Sequence, residues 1–414
     1  LLVMNNGEIA LPPPRELHGS LRRITERLAA ELAGPSGTAP DWSELECGLA
    51  RGVAAIHGVS ALLAGALKWD GPPGWKPFLV AQRVHVATRH RRIEELLGQL
   101  DTRSRDESVA LVALKGAVLH DLGLYRAGER PMADVDLLVQ PRDAKRAEQV
   151  LESLGFSEQF ANWKHQVFVP AVRTVHSEVG EHAQNYLKIE LHQRIAEILP
   201  LRITDITRGM LPSRPHPGLN AYPSNAALLA HLLIHAASSM AYRSLRLLHL
   251  HDIALVSSRM SASDWNELLA LGRDSGGPWW ALPPLQLTAR YYNMAVPKDV
   301  LAALTEYCQW TVRRLTRRQS LSDVSFSYPW IEAFPGIGWC RSLAEIVELI
   351  YSRIRPGEEI LQLRKVEVQT QVCAAQSEWA SLSQGQRVWR WLVSKQTRAQ
   401  TLHVVRTALT APHA

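Results

Sequence analysis

The run Met132-Ala-Asp134-Val-Asp136-Leu-Leu-Val139 sets two carboxylates inside an otherwise apolar, strand-forming stretch. A strand sends alternate side chains to opposite faces, so Asp134 and Asp136 stand side by side on one of them. Two like charges beside an apolar surface repel, and the arrangement is costly unless a cation lies between them. Nearby in sequence, only Arg126 and Arg130 offer to neutralise both. A hard divalent ion with oxygen ligands is the natural resolution, because Mg2+ takes one or two carboxylates together with substrate phosphates. An isolated Asp-x-Asp can also be a solvated strand edge, so its surroundings decide the reading.

Two neighbouring stretches do so. Residues 109–114 are a continuous apolar run ending in Lys115-Gly116, which suits a buried strand followed by a tight turn. The backbone N–H groups of that turn (Lys115, Gly116, Ala117) and the helix N-terminus after it favour phosphate, and Lys115 adds a positive charge. Downstream, Leu187-Lys188-Ile189-Glu190-Leu191-His192 alternates, with Lys188, Glu190 and His192 on one face and the three apolar residues on the other. Glu190 is thus the candidate third carboxylate. Its bland alternative is a surface pair with Lys188, in which case Glu178 is next in line. His192 reads as a structural histidine.

The surrounding texture places these runs. Residues 14–71 and 78–100 carry apolar residues three and four apart, broken at Gly34-Pro-Ser-Gly37 and Gly71-Pro-Pro-Gly74, and predict helices. From 105 to 200 the pattern alternates strand and helix. Beyond 200 helical periodicity returns at 226–236, 245–256, 263–271, 301–318 and 343–354. The expected fold is α+β: a small mixed-sheet core at 105–200, flanked by mainly helical regions at 1–104 and 201–414.

In this order, Leu114-Lys-Gly-Ala-Val-Leu, Tyr125, Arg130, Met132, Asp134-Val-Asp-Leu-Leu-Val139 and Ile189-Glu-Leu-His192 resemble the DNA polymerase β-like nucleotidyltransferase superfamily, in particular its uncharacterised bacterial branch. The resemblance covers 105–195, and more loosely 225–256 through Leu-x-x-x-His-Leu-Leu-Ile-His and Leu-His-Asp-Ile. It implies transfer of a nucleoside monophosphate from a nucleoside triphosphate (NTP), with release of pyrophosphate. Asp134 and Asp136 would hold Mg2+ (or Mn2+) on the phosphates, and Glu190 would help activate an acceptor hydroxyl. Two departures stand out: Ala117 replaces the superfamily's second glycine or serine, and the spacer from Ala117 to Asp134 is long. Arg130 is the choice of phosphate ligand within that spacer.

The remaining features set limits. With Lys+Arg 46 and Asp+Glu 40, the formal charge of +6 permits an anionic ligand but does not name nucleic acid, which stays possible and not favoured. Cys47, Cys308, Cys340 and Cys373 form no C-x-x-C pair and read as reduced thiols of a cytoplasmic protein. No signal peptide and no membrane span are expected, since the most apolar stretch, 225–242, carries His231 and His235. Those histidines lack the glutamate of a zinc protease, Leu232 standing in its place, and they and His251-Asp252 are expected to pack between helices. The basic Arg313, Arg314, Arg317 and Arg318 predict a solvated helical face. The tail after 378 has no Asp or Glu, and its Trp389 and Trp391 are expected to dock on the protein itself. The acceptor is unknown: a small molecule, a modified peptide, a protein side chain and an RNA end all stay open. The rival readings are a non-catalytic nucleotide-binding or regulatory protein and an RNA-modifying nucleotidyltransferase.

Overall fold

Proline at a first helical position and apolar residues at helical spacing start the chain as a bundle. The computed structural model describes residues 4–5, 8–9, 11–176, 179–272, 276–358, 361 and 381–410. After a short β1 (Met4–Asn5) and β2 (Glu8–Ile9) come α1 (Pro14–Ala33), α2 (Glu44–Ile56), α3 (Ser60–Ala66) and α4 (Trp75–Asp106). Leu17, Leu21, Ile24 and Leu28 form the buried stripe of α1. A capping box, with Ser43 and Glu46 each accepting from the other's backbone N–H, fixes the start of α2.

The sheet follows as β3 (Ala110–Ala113), α5 (Gly116–Asp121), β4 (Asp134–Val139), α6 (Ala144–Ser153), β5 (Phe156–Ala161), β6 (His165–Pro170) and β7 (Lys188–His192). A hairpin of β8 (Ala196–Leu199) and β9 (Arg202–Asp205), the single turn α7 (Thr207–Met210) and β10 (Gly218–Asn220) come next. Strand order in the six-stranded sheet is β10-β3-β4-β7-β6-β5. The pairs β4/β7 and β10/β3 are parallel and the rest antiparallel. Helices α8 (Asn225–Ala241), α9 (Leu247–Ser257), α10 (Ala262–Ala270), α11 (Leu282–Tyr291), α12 (Lys298–Tyr307), α13 (Trp310–Arg318) and α14 (Leu343–Ile354) complete the larger part, with α15 (Gln384–Val393) and α16 (Ala399–Thr410) beyond.

The α+β class and the mixed sheet with helical flanks agree with the sequence, and three details differ. The sheet recruits β10 from beyond residue 200, and the β8–β9 hairpin straddles that position. These strands are only three or four residues long, too short for an alternation to register. β5 is mostly exposed and offers only its two partly buried phenylalanines, Phe156 and Phe160, as an apolar signal. Finally, 301–318 is two helices, because Cys308 and Gln309 are extended.

Alternation along β4 and β7 divides the sheet's two faces. Val135, Leu137, Val139, Ile189 and Leu191 enter one core with Ile93, Leu96 and Leu100 of α4 and Val150 and Leu151 of α6. On the other face Leu138 joins the larger helical core with Val112 and Leu114, while Asp134, Asp136, Lys188, Glu190 and His192 occupy the remaining positions of β4 and β7. The carboxylates therefore stand at the end of a face whose other end is dry.

Candidate active site

Register brings the carboxylates together. Asp136 lies opposite Glu190 and Asp134 opposite Lys188 in the parallel β4/β7 pair. Arg89 of α4 ties the starts of these strands: Nε and Nη2 donate to the Met132 carbonyl at 3.3 and 3.0 Å, and Nη1 to the Asn185 carbonyl at 2.8 Å. It is buried, although α4 is rich in charged residues.

The cations that neutralise the aspartates are lysines. Lys115 Nζ lies 3.0 Å from Asp136 Oδ1, and Lys188 Nζ bridges Asp134 Oδ2 at 3.1 Å and Glu190 Oε1 at 2.7 Å. His192 Nε2 donates to the same Asp136 oxygen at 3.0 Å. Of the two basic residues nearest in sequence, Arg126 is exposed and Arg130 is engaged with Asp252. Burial alone would raise the Asp136 carboxyl, but Lys115 and His192 overcome it and hold Asp136 well below the usual carboxylate range. Burial likewise opposes the charge on Lys115 and on Lys188, yet the surrounding carboxylates raise both above an ordinary lysine.

The Lys-Gly turn is built for close approach. Lys115 has φ 43° and ψ −114°, a left-handed conformation that costs a lysine roughly 1–3 kcal/mol. Its backbone N–H donates to Tyr222 Oη at 3.2 Å, and Tyr222 in turn pairs with His231 Nδ1 at 2.6 Å. His231 thus stands behind the turn. At Gly116 a Cβ would lie 2.5 Å from Arg130 Nη1 and 2.7 Å from Met132 Sδ, so only glycine fits. Ala117 is buried in the first turn of α5.

Arg130 sits behind this turn in a buried network. Its Nε and Nη2 reach Asp252 Oδ1 and Oδ2 at 2.9 and 2.8 Å, and Tyr125 Oη donates to the same carboxylate at 2.6 Å. The Asp252 of the Leu-His-Asp-Ile segment is therefore bound to the spacer before β4.

A histidine pair closes the far side of Glu190. His165 Nε2 and His192 Nε2 lie 3.7 and 3.8 Å from Glu190 Oε2, and one donor atom from each of the three residues lies within 4.8 Å of the others. Burial, then the neighbouring His192, push His165 down to about 2. Among the other candidates, His235 and Lys164 flank Glu197, Trp391 packs on Arg353 and Trp389 is exposed. Cys47, Cys308 and Cys340 are free thiols, while Glu178 and Cys373 lie outside the described residues. No single helix among the described residues is long and apolar enough to cross a membrane.

A mixed sheet with helical flanks that carries this charged face is consistent with a nucleotidyltransferase fold. The chain belongs to the uncharacterised nucleotidyltransferase family, whose model matches residues 43–293. That match extends well past the 105–200 segment on both sides and includes the Arg130–Asp252 network. No curated protein and no solved structure matches the chain.

Proposed function

We propose that this protein is a metal-dependent nucleotidyltransferase that moves a nucleoside monophosphate from an NTP to a hydroxyl or phosphate group of a small molecule, peptide or protein. The observation that carries the reading is the convergence of Asp134, Asp136 and Glu190 from two registered strands beside the Lys115 turn. The donor set suits Mg2+ or Mn2+: all three groups offer hard oxygens, and Lys188 Nζ already stands between Asp134 and Glu190 as a cation in their focus. Asp134, Asp136 and Glu190 would hold the ion, which when bound neutralises phosphate charge and acidifies an acceptor hydroxyl.

The chain's own groups supply the rest. Lys115, held on a strained turn by Tyr222, offers its ammonium to a phosphate that displaces it from Asp136. Before substrate arrives, Lys115 and His192 hold the buried Asp136 well below the usual carboxylate range, so it enters the reaction ionised. Glu190 takes the proton of the acceptor. Arg130, with two of its nitrogens held by Asp252, fixes the backing of the Lys115-Gly116 turn against which the phosphates would lie.

The test is mass spectrometry of candidate acceptors, with a pyrophosphate assay, after incubation with each NTP and Mg2+ or Mn2+. Wild-type chain gives a nucleotidylated product and pyrophosphate, and Asp136→Asn lowers the rate by about 10²–10³-fold. Equal pyrophosphate release by Asp136→Asn would refute the assignment of the site.

A further inference from the structure

We infer that His165, Glu190 and His192 form a second cation site, selective for a borderline transition metal such as Zn2+ or Co2+, contiguous with the Asp134/Asp136 site and sharing Glu190 with it.

Glu190 has two faces. Its Oε1 meets Lys188 at 2.7 Å on the aspartate side, while Oε2 is turned to the two imidazoles at 3.7 and 3.8 Å. Those separations are too long for hydrogen bonds. They are close to the edge of a tetrahedron around Zn2+, about 3.4 Å for metal–ligand bonds of about 2.1 Å. The backbone sets up this convergence, because in the antiparallel β6/β7 pair His165 lies directly opposite His192 and their ring centroids are 4.8 Å apart.

An ion here would take His192 Nε2 in place of its hydrogen bond to Asp136 Oδ1 at 3.0 Å. His165 Nε2 also faces the Asn162 amide Nδ2 at a long 3.4 Å, a weak hydrogen bond at most for this nitrogen. Around it, the carboxylates of Asp134, Asp136 and Glu190 face the ammoniums of Lys115 and Lys188. Two imidazoles and a carboxylate suit Zn2+ or Co2+, whereas Mg2+ demands oxygen. The half-buried His165 and Glu190 keep the site accessible, with side chains 16% and 15% exposed, and leave room for a fourth ligand from solvent or substrate.

The inference leans on the proposed function only through Glu190, and its test separates the two. Full-length, chelator-stripped protein is titrated with Co2+ in millimolar Mg2+ and followed by visible absorption. A single Co2+ per chain is expected to give a ligand-field band that Zn2+ displaces and Mg2+ does not. His165→Ala should weaken Co2+ binding at least tenfold, whereas Asp134→Asn should keep the band while losing nucleotidyl transfer. The wild-type chain alone supplies a control independent of any variant's folding, as Zn2+ should raise its melting temperature in excess Mg2+. Absence of a Co2+ band in the wild type, or an unchanged affinity in His165→Ala, overturns the site. Loss of transfer without loss of Co2+ binding would bear on the aspartate site alone.

Discussion

Lys115–Asp136 and Arg130–Asp252 are both buried ion pairs beside the same turn, yet they are built differently. Arg130 meets Asp252 through two parallel hydrogen bonds, with Tyr125 on the same carboxylate and side-chain exposures of 9% and 1%. Lys115 meets Asp136 through one contact, on a flexible stem that is 18% exposed. A bidentate guanidinium pair has one good geometry, whereas an ammonium is a point charge that can change partners. The first pair is therefore architecture, and the second is a cation held ready for exchange.

The largest expected effect breaks the rigid pair. Asp252→Asn leaves the Arg130 charge buried and uncompensated, which should cost about 3–5 kcal/mol of folding free energy in denaturant titration. A loss below about 1 kcal/mol would mean that Arg130 is free to find another partner, and the contrast between the pairs would vanish. Next comes Glu190→Gln, which removes the proton acceptor and leaves the Asp pair intact. It should lower kcat about 10²-fold with NTP binding retained, and normal turnover would reduce Glu190 to a counter-ion of Lys188. The smallest effect sharpens the exchangeable pair. Lys115→Ala should raise KM for NTP about tenfold with little change in kcat, and unchanged NTP affinity would place the phosphates elsewhere.

The sequence made some of these groups visible and concealed others. Asp134, Asp136 and Glu190 were legible because a period of two assigns each to a face with no knowledge of the partner strand. Their neutralising cations were not, because Lys115 follows β3 and Lys188 lies four strands further along the chain, and only the β3-β4-β7 order in the sheet makes both neighbours of the carboxylates. Arg130 was picked out as a basic residue before the Asp strand, but its partner is 122 positions away. Arg89 and His165 gave no local signal at all: one sits among other charges on a long helix, and the other opens a strand whose register with β7 sequence does not record.

Strand β10 has a consequence for how this protein is made. Until Gly218–Asn220 have been synthesised, the outer edge of β3 offers the unpaired backbone groups of Ala110, Leu111 and Val112 to any passing strand. The long helix α4 is already available by then, and its Asp101 later fastens the newcomer by accepting from Leu219 N–H at 2.8 Å. A nascent chain, or a fragment cut near residue 200, thus carries an open seam through which copies can add edge to edge. Asn220 finishes the seal when its side chain donates to the Leu111 carbonyl at 3.0 Å.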